Sequence, residues 1–446
     1  MDLLIAGATV LTMDADLRVL PGAYVGITGS RISFLGLAAP TEKPQKIMDA
    51  TGMVLMPGMI DCHTHLTHAI LRNYRDDLEP VQRLEEQLLP KMDRMDKRIA
   101  RAAATVSIAE ALRNGVTAVS CLDVYGGAIA QAAAEAGIKL NLAPAAQWYE
   151  EEFDMDHDLE GMQLQQLKEC WDGYDDGRIR IEAGIHSEYT SRYDLWEAFG
   201  AYASANHMGL QLHLCQSRQE LESCLDHYGM SPAELLECHR LFPQRTTAAG
   251  CAYLEEGDLK ILARHGTTAV YTPVAALRQN YGVTDVTQLI AGGVNVALGS
   301  DGAAYGGKID LFDQMKAAAL ASSAIGKKLP PAALLTMATV CGAKAQGRES
   351  TCGQIKPGMD ADLILLDFTA PHLLPCHNLL SQLVYCAGGQ DVCLTMVRGK
   401  ILYAGGKFPT LDLASAVGEL TQYGIGTMFA EAPDAAVSTP EEGNNL

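Results

Sequence analysis

Four side chains of the types that bind metal ions stand at the ends of stretches predicted to be buried strands. His63 and His65 lie two residues apart on one such stretch, so on extended backbone both point to the same side. His213 lies in the stretch LQLHL, and Asp301 follows VNVALGS. Three imidazoles and one carboxylate form a normal Zn²⁺ set with a position left for water. The spacing therefore predicts one divalent metal at these residues, and the same ligands also suit Fe²⁺ or Mn²⁺.

The chemistry that such a site supports is hydrolysis. A bound cation would lower the pKa of a water towards about 7 and so give hydroxide at neutral pH. Asp301 can bind the ion and can also accept a proton from that water. In the alternative interpretation each of the four residues is a hydrogen-bonded core group, which requires four costly polar burials that converge by accident.

Strands and helices alternate in the segments that carry these residues. GMIDCHTH, VTAVSCLD, IRIEAGIHS, LQLHLCQS and NVALGSD are mostly apolar, as strands buried on both faces are. Helical stretches lie between the strands, and several end in Gly. Eight strands with intervening helices favour an α/β fold of the (β/α)8 TIM-barrel type, because no Gly-rich nucleotide-binding turn follows the first strand. In such a barrel the active site forms at the C-terminal ends of the strands.

Both ends of the chain read as short strands separated by turns, unlike the middle. We predict three parts: residues 1–57 with 355–430 as a small composite β-sandwich domain, residues 58–354 as the barrel, and residues 431–446 as a polar tail.

Composition excludes several classes of function. The 446 residues include 34 Lys+Arg and 54 Asp+Glu, a formal net charge of −20, which repels phosphate backbones and anionic lipid. No stretch of 18 apolar residues indicates a membrane span. The twelve cysteines form no C-x-x-C pair and lie mostly in apolar runs, which indicates reduced thiols in a cytoplasmic protein. We therefore expect a small-molecule substrate rather than nucleic acid or a membrane.

The runs PGMIDCHTHL, LHLCQSRQELE, VNVALGSDGAA and ADLILLDF resemble the amidohydrolase superfamily. Within it the chain is most similar to the chlorohydrolase and deaminase subgroup that includes 5-methylthioadenosine/S-adenosylhomocysteine deaminases. The resemblance implies a single metal on the four residues named above, a substrate-facing role for His186, and a homodimer.

Departures from the family pattern concern proton transfer and the substrate pocket. Where the family usually has a proton-shuttling Glu this chain has Gln216, and an amide cannot shuttle protons. Gly250 stands where a His usually contacts the nucleophilic water. Tyr271 replaces another usual His, and Tyr305 lies where a Ser-Asn pair is common. We therefore assign Gln216, Tyr271 and Tyr305 to substrate binding and expect substrates unlike methylthioadenosine.

Glu188 is a carboxylate that the family pattern does not predict, two residues beyond His186. It either replaces the missing acid, which makes Asp301, His186 and Glu188 the catalytic residues, or is a solvated loop residue. The favoured function is metal-dependent hydrolysis of a C–N or similar bond in a small nitrogenous heterocycle. The alternative is a catalytically impaired metal-binding homologue that binds a ligand or serves as an assembly partner.

Overall fold

The computed structural model describes residues 1–242 and 245–430, so the predicted tail at 431–446 lies outside the described residues. The strands are β1 (Leu3–Leu11), β2 (Val19–Thr28), β3 (Arg31–Gly36), β4 (Lys46–Asp49), β5 (Met53–Pro57), β6 (Met59–Thr64), β7 (Val116–Asp123), β8 (Lys139–Pro144), β9 (Ile179–Ile181), β10 (Ala183–Gly184), β11 (Leu210–Leu214), β12 (Thr246–Gly250), β13 (Thr268–Tyr271), β14 (Asn295–Leu298), β15 (Leu363–Asp367), β16 (Val392–Val397) and β17 (Lys400–Ala404).

Helices occupy most of the chain between the strands of the middle part. They are α1 (Pro80–Gln82), α2 (Leu89–Met92), α3 (Lys97–Arg113), α4 (Gly126–Ala136), α5 (Leu159–Trp171), α6 (Tyr174–Gly177), α7 (Tyr193–Ala205), α8 (Arg218–Tyr228), α9 (Pro232–Cys238), α10 (Glu256–His265), α11 (Pro273–Arg278), α12 (Val286–Ala291), α13 (Gly302–Tyr305), α14 (Leu311–Ala324), α15 (Pro331–Met337), α16 (Val340–Ala345), α17 (Leu379–Tyr385), α18 (Leu413–Gly418) and α19 (Ile425–Phe429). Within the described residues, none of these helices combines the length and apolarity needed to cross a bilayer.

The two ends of the chain meet in one sheet of eight strands. Its order is β17-β16-β15-β5-β1-β2-β3, and β4 pairs in parallel with β1. β15 runs antiparallel to β5, which joins the C-terminal part to the N-terminal part. The strands form a single hydrogen-bonded sheet where the sequence predicted a sandwich, and this sheet has a separate apolar cluster that includes Val25, Leu55 and Leu363. The pairing of both chain ends in one sheet is observed, and the division into domains at the predicted bounds stays a prediction.

The middle of the chain forms two parallel sheets, β6-β7-β8-β9 and β10-β11-β12-β13-β14. The edges of the two sheets approach each other on both sides. The backbone N–H groups of Ser300 and Asp301 donate to the carbonyl oxygen of His63, and that of Ala146 donates to Gly184. Parallel strands alternating with helices are therefore confirmed, and closure into a (β/α)8 barrel stays a prediction.

A buried ion cluster joins the parallel part to the composite sheet. Lys139, the first residue of β8, is 2% exposed and its Nζ lies 2.7 Å from Asp360 and 2.5 Å from Asp362. The Sγ of Cys352 lies 3.1 Å from the same Nζ. Although burial lowers the pKa of an amine, the two carboxylates raise that of Lys139, so the ammonium keeps its charge. The cluster lies at the N-terminal end of β8, at the opposite end of that strand from Gln147 and the cavity described below.

Candidate functional site

The ends of three strands bring the predicted metal ligands together. His63 lies on β6 with His65 just beyond it, His213 lies on β11, and Asp301 follows β14. One nitrogen or oxygen from each of these four residues can be chosen so that all four atoms lie within 4.8 Å of one another. Such a separation allows a single cation to contact all four atoms.

Two glycines allow β14 to approach β6 so closely. A Cβ on Gly299 would lie 2.9 Å from the carbonyl oxygen of His63, and a Cβ on Gly302 would lie 2.8 Å from that of His65. Gly302 also has a φ of +69°, in the left-handed region that side chains rarely adopt. Larger residues at these positions would push Asp301 away from the histidines.

The second ring nitrogens of two histidines are held by backbone carbonyls. His65 Nδ1 lies 2.5 Å from the carbonyl oxygen of Leu122, and His213 Nδ1 lies 2.7 Å from that of His186. An Nδ1–H that donates to a carbonyl leaves Nε2 without a proton. It also orients the ring so that Nε2 points to the place where a metal ion would bind. This arrangement of outer contacts is typical of metal-binding histidines.

The electrostatics of His63, His213 and Asp301 also suit a cation, whereas the pKa of His65, which burial lowers, is raised overall by the carboxylate of Asp301. Nε2 of His63 is buried without a hydrogen bond of ordinary geometry, although Oδ1 of Asp301 lies 3.1 Å away. Burial lowers the pKa of His63, and burial together with the neighbouring imidazoles holds that of His213 well below its ordinary value, so both favour the neutral form that binds metals. Burial alone would raise the pKa of Asp301, but the imidazoles of His63 and His65 hold it well below the ordinary range. The residues present therefore fit a divalent metal.

A cavity of about 70 Å³ opens over this cluster. Its described lining includes His65, His68, Pro80, Leu84, Leu89, Met92, Leu122, Asp123, Val124, Ala145, Gln147, His186, Tyr189, His213, Gln216, Tyr281, Asp301 and Tyr305. Three residues assigned from the sequence to substrate contact, His186, Gln216 and Tyr305, therefore lie where a ligand would bind. Apart from these three residues and the metal ligands, the lining consists of apolar side chains, two further tyrosines, the imidazole of His68, the carboxylate of Asp123 and the carboxamide of Gln147.

The hydrogen bonds of His186 define which of its nitrogens can meet a ligand. The hydroxyl of Thr190 donates to the carbonyl oxygen of Ser187, so it accepts from Nδ1–H of His186 at 3.1 Å. Nε2 of His186 is then the unprotonated nitrogen. Burial, with the nearby imidazoles of His65 and His63, lowers the pKa of His186 to about 4, so the ring is neutral at pH 7. His186 is thus a hydrogen-bond acceptor towards the cavity.

Tyr305 is held by backbone contacts from two arginines. Arg83 Nη2 donates to the carbonyl oxygen of Ala304 and Arg278 Nη1 to that of Tyr305, each at 3.0 Å. Arg72 donates to the carbonyl of Gly307 in the same segment. These contacts fix the turn after Asp301 and with it the position of the Tyr305 ring.

The structure places Tyr271 away from the cavity, which corrects its assignment to substrate binding. The neighbouring side chain of Val270 lies beside Gly299, next to His63. Because successive side chains of a strand point to opposite faces, Tyr271 points the other way, and it packs in the main apolar cluster with 1% of its surface exposed. The alternation of side chains between the two faces of β13 therefore places Tyr271 in the apolar core.

Glu188 lies outside the described lining of this cavity, and its assignment as the replacement acid stays a prediction. Its side chain lines a neighbouring cavity of about 420 Å³ together with Glu220, and Tyr189 borders both cavities. Both carboxyl groups are buried. The solvated-loop alternative does not hold, since Glu188 is 4% exposed and accepts a hydrogen bond from Ser187 Oγ at 2.8 Å.

Glu220 has a structural role beside Gln216. Its carboxylate accepts the backbone N–H groups of Cys215 at 2.5 Å and Gln216 at 2.8 Å, which fixes the turn after β11. Burial raises the pKa of Glu188 to about 7, and burial with the charge of Glu188 raises that of Glu220 well above its ordinary value. At neutral pH the pair therefore retains a proton that two exposed glutamates would release.

Replacing Glu188 with glutamine is expected to stabilise the protein in alkaline solution. A carboxyl whose pKa rises on folding does not lower the free energy of unfolding at pH values below its ordinary pKa of about 4.5. The free energy of unfolding then falls as the pH rises from there to about 7, because the unfolded chain releases the proton that the folded protein retains. Urea unfolding of E188Q should show a gain over wild type of about 1 to 3 kcal/mol at pH 8 and a smaller gain at pH 5. Glu150→Gln, in an exposed loop, is the control. An identical pH dependence in E188Q and wild type would contradict this view of the pair.

Comparison with known proteins shows the family of this chain. The family model described as "Amidohydrolase family" matches residues 54–402. The chain belongs to the amidohydrolase family. A 5-methylthioadenosine/S-adenosylhomocysteine deaminase of Caldicellulosiruptor saccharolyticus is 34% identical over 427 residues, 94% of this chain and 97% of the relative. A 5'-deoxyadenosine deaminase of Methanosarcina mazei is 32% identical over 94% of this chain and 96% of that protein.

A solved structure leads to the same family. An adenosine deaminase from Xanthomonas campestris with bound zinc superimposes with a TM-score of 0.90 at 26% identity, covering 96% of this chain and 99% of that one. The predicted resemblance to amidohydrolases near the methylthioadenosine deaminases is confirmed, and so is the prediction of a hydrolase.

Several residues that line the cavity of this amidohydrolase were not found from the sequence. Gln147 follows β8, so the rule that polar residues at strand ends form the site would have found it. Tyr189 lies in a one-turn 3-10 helix and Tyr281 in a loop, and no local pattern distinguishes them from other tyrosines of the chain. For His68 the sequence left two roles open, a place in the pocket lining or a hydrogen-bonded structural role, of which it favoured the second. The structure places His68 in the lining, with its ring centroid 4.6 Å from that of His65 and a buried Nδ1 without a partner among the described residues.

Proposed function

We propose that this amidohydrolase is a metal-dependent hydrolase that removes an amino group from a carbon of a small nitrogenous heterocycle. One water is consumed, its oxygen becomes the new carbonyl, and the amino group leaves as ammonia. The observation that carries the proposal is the convergence of His63, His65, His213 and Asp301 beside a cavity that His186, Gln216 and Tyr305 also line. The deaminases among the relatives support the reaction class, and the closed (β/α)8 barrel is part of the proposal.

Zinc is the metal we propose, because the Xanthomonas campestris relative binds zinc and the ligand set suits it. When bound, the ion supplies a water with a pKa near 7 and an electrophile for the developing negative charge. His63, His65, His213 and Asp301 would hold the ion. His65 and His213 would offer Nε2, since their Nδ1 atoms are committed to carbonyls, and Asp301 would offer a carboxylate oxygen.

The proton steps fall to Asp301 in this mechanism. Its carboxylate is ionised at neutral pH and accepts the proton of the attacking water, which it can return to the leaving nitrogen. Asp123, the other carboxylate of the described lining, is already engaged because it accepts from Thr67 Oγ1 and from the Thr67 backbone N–H. Nε2 of His186 accepts a hydrogen bond from the substrate, and Gln216 binds without transferring a proton.

The test combines metal analysis with a search for turnover. Purified protein should contain about one zinc, iron or manganese per chain, and should release ammonia from at least one member of a panel of aminopurines, aminopyrimidines, pterins and triazines. Metal-free protein with the four ligands intact would refute the site. A metal-loaded protein that turns over no member would favour the alternative of a ligand-binding or assembly protein. The homodimer and the cytoplasmic location stay predictions.

A further inference from the structure

The side chain of Arg83, directly after α1, is a buried cation that pairs with no carboxylate of the described residues. It is 1% exposed. Its Nε donates to the carbonyl oxygen of Tyr74 and its Nη2 to that of Ala304, each at 3.0 Å, while Nη1 is buried without a hydrogen-bond partner in the described chain. A guanidinium does not lose its proton in proteins, and a buried charge is normally paired. The position of Arg83 therefore favours an anionic partner that these residues do not supply.

Arg83 lies beside the wall of the cavity over the metal ligands. Its neighbours Pro80 and Leu84 line that cavity. Its Cζ lies 5.6 Å from the centroid of the Tyr305 ring, which lines the cavity as well. An anionic group next to this ring would be attracted strongly to the guanidinium, because little water lies between them to screen the two charges.

Three polar side chains of the lining lie near Arg83 and have no hydrogen bond to a described residue. They are the imidazole of His68 and the phenols of Tyr281 and Tyr305. The ring centroids of His68 and Tyr305 are 5.7 Å apart, and Nδ1 of His68 is buried. Burial raises the pKa of both tyrosines, so each hydroxyl keeps its proton at neutral pH. Each hydroxyl can then donate a hydrogen bond to an anion.

The carboxylates near Arg83 do not offset its charge. Asp76 forms an ion pair with Arg278, whose Nη2 lies 3.1 Å from it. The two carboxylates of the described lining are engaged elsewhere, Asp123 by the hydrogen bonds given above and Asp301 with the metal-binding histidines. With a divalent cation bound, the positive charges around the cavity outnumber the negative ones. The cavity therefore favours an anionic ligand over a neutral or cationic one.

We propose that the substrate is a heterocycle with a carboxylate substituent and that Arg83 determines this specificity. The hydroxyls of Tyr281 and Tyr305 donate to the two carboxylate oxygens, and the guanidinium supplies the countercharge from beside the Tyr305 ring. A carboxylate has acceptors only and so matches these donors, whereas a neutral ring would leave the charge of Arg83 uncompensated. In a cavity of about 70 Å³ a planar carboxylate also takes less room than a phosphate. The inference rests on the proposed function, because it names a substituent of the molecule that the same site hydrolyses.

The test compares each carboxylate with its neutral carboxamide, which has nearly the same shape. The pairs are 2-aminopyrimidine-4-carboxylate with its carboxamide and pterin-6-carboxylate with its carboxamide; every compound carries an amino group on a ring carbon. Titration calorimetry on the metal-loaded protein at pH 7 should show about tenfold to a hundredfold tighter Kd for the carboxylates. Equal affinities within both pairs, or binding of none of the four compounds, would overturn the inference.

Matched variants assign the preference to Arg83 rather than to the metal, which also attracts carboxylates. Arg83→Gln keeps an amide donor but removes the charge, and should reduce the preference to within about threefold. The double variant Tyr281→Phe and Tyr305→Phe removes the two hydroxyl donors and should weaken carboxylate binding about tenfold, with a smaller effect on the carboxamides. Arg218→Gln, at an exposed position on α8, should keep the wild-type preference.

The two sets of substitutions keep the assignment testable if one of them prevents folding. A preference that persists in the folded Arg83→Gln protein would come from the metal and would overturn the role of Arg83. Where that protein does not fold, an unchanged preference in the tyrosine double variant would overturn the carboxylate site.

Binding and turnover distinguish this inference from the proposed function. Carboxylate-selective binding without loss of the ring amino group would support the role of Arg83 and count against the hydrolysis. Loss of the ring amino group with equal kcat/KM for both members of a pair would support the hydrolysis and count against the role of Arg83. Products are identified by mass, so that hydrolysis of the carboxamide itself is not mistaken for loss of the ring amino group.

Discussion

Replacing Asp301 with asparagine is expected to lower kcat for amino-group hydrolysis by about a thousandfold or more. The amide keeps the size of the side chain but cannot accept the proton of the attacking water. It also removes the negative charge that the imidazoles of His63 and His65 stabilise, which weakens the binding of a cation. The rate is measured as ammonia release under excess zinc, so that incomplete metal loading does not account for the loss.

Asp226→Asn is the matched control for this variant. Asp226 is exposed on α8, and the substitution should leave both the rate and the metal content unchanged. A D301N protein that retains more than about a tenth of the wild-type kcat would show that another group accepts the proton. The mechanism derived from the cavity would then be wrong, even if the ion still binds.

Removing the metal is expected to abolish turnover and to lower the melting temperature. Without the ion the three buried histidines and the half-buried Asp301 remain beside each other with no electrophile in the cavity. A metal that binds only the folded chain stabilises it by about 2.7 kcal/mol at one hundred times its Kd. Dialysis against a strong chelator should therefore reduce the rate to background, and added zinc should restore both the rate and the melting temperature.

The variant His213→Ala should not be rescued by zinc, because it lacks one of the four ligands. His377→Ala, at an exposed position, should behave as wild type does in every step. Full activity after chelation, with the metal content shown to be near zero, would exclude a metal-dependent mechanism for this chain.

Polar residues at strand ends were the part of the site most accessible from sequence. His63, His213 and Asp301 interrupt or follow apolar stretches, and in parallel strands such positions meet at one edge. The same rule would have selected Gln147, which follows KLNLAPAA. The rule works because strand length and apolar composition are local properties, so the end of a strand can be located without knowledge of the fold.

The direction of a side chain next to the site was much harder to predict. Tyr271 and Glu188 stand at suitable places in the sequence, yet Tyr271 packs in the core and Glu188 lies in a second cavity with Glu220. A shift of one residue in register reverses the face to which a strand residue points. In the turn after His186, the hydrogen bonds of Ser187 and Thr190 set the path of the backbone, and these contacts are not visible in the order of residues.

The sequence by itself determined the four candidate ligands, the alternation of strands and helices, and the β-rich character of both ends, which pair in one sheet. These features depend on local composition and spacing, which each segment carries on its own. Only the tertiary structure decided which side chains face the cavity, that Glu188 pairs with Glu220, and that Gln147 and Gln216 lack partners within the described chain. Those outcomes depend on how distant segments pack, and packing sets the direction and the neighbours of a side chain.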